Sequence, residues 1–300
     1  MLGFCLTAPI IDVASKLAAA TIPVGQITTA RFVVQAAIML PICLALRHSL
    51  RIPPRTRTLL TLRALFLILS TYCFVAAVRH MPIADALAIA FVEPFILLIL
   101  GRIIFDDEVG RRRIGACLFG FAGSLLVIQP SLAVFGLIAL WPLGTAVFFA
   151  AYMLVTRSLS GRLHPVPMQF HTATLACLLC LPVMVLANGS GIPSLDPVTP
   201  RGVEWLWLFG VGASSAFSHL LMTFALRFAP SATLAPLHYL EIISASIIAY
   251  LVFGDFPNAL TWAGIGIIAA SGLYIISRER LTARQGRPVQ SAVAPETPGP

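Results

Sequence analysis

The chain is divided into long apolar runs with almost no alternation inside them. LGFCLTAPIIDVASKLAA, LLTLRALFLILSTYCFVAAV and WLWLFGVGASSAFSHLLMTFAL are representative. About 20 predominantly apolar residues is the length that crosses a bilayer as a helix. Lipid offers the backbone no hydrogen bonds, so a span is either a helix or part of a closed barrel. Barrel strands alternate in hydropathy over shorter segments; unbroken runs select helices. Composition agrees. Apolar residues make up 58% of the chain and charged residues 11%, with a mean hydropathy of +0.92. Soluble domains carry about 25% charge.

Cutting at the Pro, Gly and Arg clusters predicts ten spans: 2–20, 25–46, 59–78, 83–104, 114–128, 132–156, 166–187, 203–226, 232–253 and 259–277. Arginine sets their direction. Arg47, Arg51, Arg55 and Arg57 follow span two, Arg111–Arg113 follow span four, and Arg157 and Arg162 follow span six. These loops share one side with the tail; Arg79 and Arg201 lie opposite. The Arg-rich side is cytoplasmic by the positive-inside rule, which puts both termini inside a bacterial inner membrane. The net charge of +8 is thereby topogenic, and nucleic acid is not an expected partner. No basic segment precedes the first run, so a cleavable signal is not expected. Residues 278–300, polar and Pro-rich, read as a disordered cytoplasmic tail.

Self-comparison finds a repeat. At an offset of 148, Arg79 meets Arg227, Pro82 meets Pro230, Ala84 meets Ala232, Glu93 meets Glu241, Phe105 meets Phe253 and Asp107 meets Asp255. At 149, Gly115 and Gly123 meet Gly264 and Gly272. Residues 1–129 and 130–277 are then two units of five spans each. An odd number reverses the second unit in the membrane, the inverted arrangement that transporters use to expose a central site alternately.

The residues carrying this repeat also resemble a family. Arg79-His80-Met81-Pro82, Ala84, Ala88, Glu93-Pro94, Phe105-Asp106-Asp107-Glu108, Gly115 and Gly123 are similar to the EamA domain of the drug/metabolite transporter superfamily, and residues 130–277 resemble a second copy. The resemblance implies ten helices, a central cavity and secondary transport of small organic metabolites. Family members often carry Leu-Gly-Glu where Asp106-Asp107-Glu108 stands, so no role is carried onto Glu108.

An ionisable side chain inside a bilayer costs about 2.5–3.5 kcal/mol on insertion scales, so each one needs a reason. Arg63 and Arg102 lie near span ends and are expected to snorkel. Asp12 and Lys16 are spaced i, i+4, where they can pair or present Lys16 to an anion; Arg31 can join either. Glu93 stands mid-span before Pro94, which removes a helical hydrogen bond and favours a kink. Asp85 lies two turns earlier. Glu241 is the repeat counterpart of Glu93, and His238 precedes it by three residues. A carboxylate at matched positions of both central helices is a candidate for substrate or coupling-proton binding. His219 is a candidate pore imidazole and His171 a weaker one. Tyr72, Trp141, Phe148, Tyr152 and Tyr239 are candidates for stacking on a flat substrate. Cys177 and Cys180 read as small packing residues, and no metal or cofactor is expected.

Absence of G-x-x-x-x-G-K-[ST] leaves no ATP-driven module in the sequence, and absence of H-E-x-x-H and G-x-S-x-G argues against a membrane-embedded enzyme. The remaining expectation is a secondary transporter, monomeric or homodimeric, for a polar, partly flat metabolite. Mixed charge and aromatics lean toward riboflavin or S-adenosylmethionine uptake, with export of amino acids or drugs as the alternative.

Overall fold

The computed structural model describes residues 1–52, 54–81, 83–106, 110–128, 136–253 and 259–285. Regular structure within them is entirely helical. In chain order the helices are α1 (Leu2–Ala19), α2 (Val24–Ala45), α3 (Arg57–His80), α4 (Ile83–Ala90), α5 (Glu93–Phe105), α6 (Arg111–Ile128), α7 (Leu140–Ser160), α8 (Pro165–Ala187), α9 (Glu204–Phe228), α10 (Ser231–His238), α11 (Glu241–Phe253) and α12 (Ala259–Gln285). Short 3-10 turns at Pro54–Thr56 and Gly136–Ala139 lead into α3 and α7. Seven helical stretches among the described residues are long and apolar enough to cross a membrane. α12 continues past Ser277 to Gln285, into the stretch read as tail; residues 286–300 lie outside the described part.

Two expected spans are not single helices. Residues 83–104 form α4 and α5, parted at Phe91–Val92. Residues 232–253 form α10 and α11, parted at Tyr239–Leu240. At the first break Pro94 has no N–H, and the backbone tightens: Val92 N donates to Ile89 O (3.2 Å) and Phe95 N to Val92 O (3.1 Å). At the second, Leu240 N donates to Leu237 O (3.2 Å) and Ile243 N to Leu240 O (3.2 Å). Both are i→i−3 bonds, the geometry of a helix end. Glu93 and Glu241 are therefore each the first residue of a new helix, where the macrodipole favours a negative charge.

The polarity of the bundle suits a lipid solvent. Leu186 and Leu251 are 83% and 73% exposed, whereas Arg63, Gln35 and Gln169 are 0% exposed. Helix α3 packs on α7 and α1 on α9; α2 packs on α8 and α6 on α12; α5 leans on α7 and α1 on α11. Glycine permits the closest approaches. Gly123 of α6 lies against the Gly264 carbonyl of α12, and Gly120 lies against the ring of Tyr239. Gly266 faces open space.

A methyl group at Gly120 would overlap a ring that cannot retreat, because Tyr239 is fully buried and its hydroxyl donates to Phe91 O (3.1 Å). Gly120→Ala is expected to lower the thermal unfolding midpoint of the purified protein by the equivalent of about 1–3 kcal/mol. Gly266→Ala is expected to leave it unchanged or slightly raised. Equal midpoints for the two variants would show that the Tyr239 ring yields.

Candidate substrate site

One face of α1 opens the site. Phe4, Ala8, Ile11, Asp12 and Ser15 recur at helical spacing and line a cavity of about 110 Å³ at the centre of the bundle. α2 contributes Arg31, α3 Ser70 and Thr71, α5 Glu93, α7 Phe149, α9 His219, α10 His238 and α11 Glu241.

The acidic end is built by the two helix breaks. His238, the last residue of α10, places Nδ1 2.7 Å from Glu93 Oε2. Its Nε2 lies 3.7 Å from Glu241 Oε2. The imidazole thus bridges two carboxylates that stand 148 residues apart. Glu93 Oε1 and His238 Nε2 are buried without a hydrogen bond among the described residues. Phe149 stacks on His238 (5.8 Å, 22°), and Phe4 tilts against it at 5.2 Å.

The basic end is Arg31. Its Nη1 donates to Thr71 Oγ1, and its Nη2 lies 2.6 Å from His219 Nε2. A guanidinium has no acceptor, so this His219 nitrogen accepts, and the ring proton sits on Nδ1, 3.1 Å from Tyr152 Oη. Arg31 Nε is left without a partner, as is Asp12 Oδ2, which shares the cavity with it. Buried polar atoms are normally satisfied. Here an orphan donor and orphan acceptors line the same space, which suits a ligand carrying both kinds of charge.

Beneath this end lies Arg63. It does not snorkel; it is fully buried. Nε donates to Thr156 (2.8 Å) and Nη1 to Thr172. Nη2 donates to Tyr152 Oη (2.8 Å), Gln169 Oε1 (2.8 Å) and Thr223 (3.1 Å). Its fork joins α3 to α7, α8 and α9. Sequence reading missed it because position along a span does not reveal that the neighbouring helices offer hydroxyls and an amide at that depth.

Other expectations fare differently. Asp12 and Lys16 do not pair. Lys16 Nζ donates instead to the carbonyls of Val78 and Met81 (2.9 Å to Met81), capping the end of α3. The long stem carries its ammonium to free carbonyls at a helix end, a favourable place for a cation. Tyr72 and Trp141 pack on each other at 5.9 Å and line no part of the cavity. Tyr152 and Tyr239 are wholly buried around it, as a link between Arg63 and His219 and as a clasp on Phe91. The cavity aromatics are instead Phe4, Phe149, Phe74 and Phe91. Phe4 lies one and two helical turns before Ala8 and Asp12; of the adjacent pair Phe148 and Phe149 it is Phe149, not the expected Phe148, that lines the cavity, since nothing in the sequence distinguishes them. Asp85 falls on α4, but its side chain lies outside the described part. Counting helical angle from Asp85 to Glu93 also fails, since the helix stops between them. His171 lies away from this cavity, at one end of the bundle.

An all-helical bundle, apolar outside and charged around one central cavity, defines the class of a multi-pass membrane transporter for small molecules. The chain belongs to the EamA-like transporter family, whose model matches residues 1–129 and 136–278. Among curated relatives, it is 24% identical to the S-adenosylmethionine uptake transporter of Rickettsia prowazekii (strain Madrid E), over 92% of this chain and 90% of the relative. It is 27% identical to the riboflavin transporter of Vibrio cholerae serotype O1 (89% of each chain). It is 26% identical to the pseudopaline exporter CntI of Pseudomonas aeruginosa (strain UCBPP-PA14), over 88% of this chain and 90% of the relative. A crystal structure with 17% identity superposes with a TM-score of 0.72 over 95% of this chain and 97% of that one, which shows the shared fold.

The two arginines once grouped as snorkelling should separate on mutation. Arg63→Leu strands several buried acceptors and is expected to cost about 2–5 kcal/mol, read as a lower thermal midpoint and less folded protein. Arg102→Gln, whose side chain is 57% exposed beside Asp106 at 3.4 Å, should cost less than about 1 kcal/mol. A stable Arg63→Leu would show that its neighbours satisfy one another without it.

Proposed function

We propose that the chain is a secondary transporter that takes up a polar, partly flat organic metabolite by alternating access in a bacterial inner membrane. The observation that carries this is the cavity in which Asp12, Arg31, Glu93, His238 and Glu241 converge between two broken helices. Discontinuous helices whose ends face a central site are the device by which transporters hold charged substrates in lipid.

In this reading α4 with α5 and α10 with α11 are each one span, ten spans in all, in two oppositely oriented units with both termini cytoplasmic. The packing supports it: α3 on α7 is matched by α1 on α9, and α5 on α7 by α1 on α11, while α2–α8 and α6–α12 are pairings between counterparts. Phe91 and Tyr239, also 148 residues apart, touch each other at 5.7 Å. A pseudo-two-fold axis in the membrane plane accounts for all of these.

Small-molecule sites usually span about 300–1,000 Å³. A cavity of about 110 Å³ is smaller than that, so the halves must part further to admit a substrate of that size. Glu93 and Glu241 at one end and Arg31 beside Asp12 at the other suit a substrate with an ammonium or sulfonium and a carboxylate. Phe4 and Phe149 offer faces for a planar ring. S-adenosylmethionine has all of these features and riboflavin the planar ring, and relatives are named for each. The Glu93–His238–Glu241 array is the place for a coupling proton. Catalysis has less support: His219 engages Arg31 and Tyr152, His238 lies between carboxylates, and among the described residues neither bears on a Ser or Cys nucleophile.

Glu93→Gln keeps an oxygen for His238 and removes the charge. It is expected to fold, to abolish uptake of labelled S-adenosylmethionine or riboflavin into proteoliposomes, and to weaken binding by more than about tenfold. Uptake at the wild-type rate would make Glu93 a structural residue.

A further inference from the structure

Away from the central cavity, a second pocket of about 870 Å³ opens between the α2–α3 connection and the start of α8. Its polar lining is Ser49 and the basic residues His48, Arg51, Arg57 and His171, with no carboxylate among the lining residues. Neither arginine pairs with an acid among the described residues. Ile52 and Leu163 add an apolar wall.

Two features show that this is more than an exposed basic loop. His171 is only 2% exposed, and it lines the pocket. It lies six residues into α8, roughly 9 Å along the helix from Pro165. The walls are also fixed. His48, just past α2, stacks on His164 at 4.4 Å and 29°, and His164 caps α8 by accepting from Val166 N. Burial, with His48 and Arg227 beside it, holds the His164 imidazole below its ordinary pKa, which relieves repulsion within the stacked pair.

We propose that this pocket binds the phosphate headgroup of an anionic phospholipid, with Arg51 and Arg57 on the phosphate oxygens, His171 donating from the pocket floor and Ile52 and Leu163 against the glycerol and first acyl carbons. Arginine presents a planar fork matched to phosphate. Basic pockets between transmembrane helices at the headgroup level are suited to such lipids. The apolar wall favours a lipid over a soluble phosphate, whose other side would face water. The inference rests on reading α2, α3, α7 and α8 as spans, and not on what the central cavity carries.

The test is native mass spectrometry of the full chain released from nanodiscs of mixed phosphatidylglycerol and phosphatidylcholine. Wild type is expected to retain phosphatidylglycerol selectively. Arg51→Gln with Arg57→Gln should reduce that retention roughly tenfold, and His171→Leu should also reduce it, giving the comparison a second variant if the first does not fold. Arg111→Gln with Arg112→Gln removes equal charge from the start of α6 and should retain lipid as wild type does. Unchanged retention in both pocket variants would overturn the proposal, as would equal loss in the Arg111/Arg112 control. So would glycerol 3-phosphate displacing the lipid and binding lipid-free protein as tightly, which would assign the pocket to a soluble phosphate. None of these readouts involves transport.

Discussion

The contact between Glu93 and His238 holds the centre of this protein together. Each group alone would be an expense in lipid. At 2.7 Å His238 Nδ1 and Glu93 Oε2 satisfy one another, and in doing so they bind the start of α5 to the end of α10. Beside them the Tyr239 hydroxyl donates to the Phe91 carbonyl, so the loose backbone of one break is met by a side chain from the other. The helix breaks, the carboxylate array and the floor of the cavity are consequences of one meeting point.

The two buried arginines divide the work around it. Arg63 is saturated by neutral acceptors from α7, α8 and α9, leaving nothing to offer a ligand. Arg31 lines the cavity and keeps Nε without a partner. Tyr152 and His219 connect them. One cation therefore stabilises the bundle, and the other stands in the site with its hydrogen bonding incomplete. That difference comes from the neighbouring helices, which supply four side-chain oxygens to Arg63 at up to 3.1 Å and its Thr172 partner besides, but only Thr71 and His219 to Arg31.

Much of this was legible in the sequence. Apolar run length implies helices, and the offset of 148 pairs Glu93 with Glu241. Pro94 marked the first break. The second was not marked in the same way, because no proline follows Glu241; Pro236 lies a turn earlier, and only the i→i−3 bonds show where α10 stops. Side-chain reach was harder to read. Lys16 is spaced correctly to pair with Asp12, but spacing cannot weigh that pair against carbonyls at the end of α3. Tyr152 and Tyr239 were recognised as important aromatics, yet their place beneath the cavity depends on which helix faces which. Phe149 acquires its role only when α10 brings His238 against it.

The claim on which everything else depends is that the central cavity opens to each side of the membrane in turn. Ser70 lines it, and Ser70→Cys changes little but the atom. With the six native cysteines replaced, its labelling by a membrane-impermeant thiol reagent can be measured in right-side-out and in inside-out vesicles. Labelling in both preparations, slowed in each by transported substrate, is the expected result. Labelling from one side only, unaffected by any substrate that the protein moves, would contradict a single alternating site.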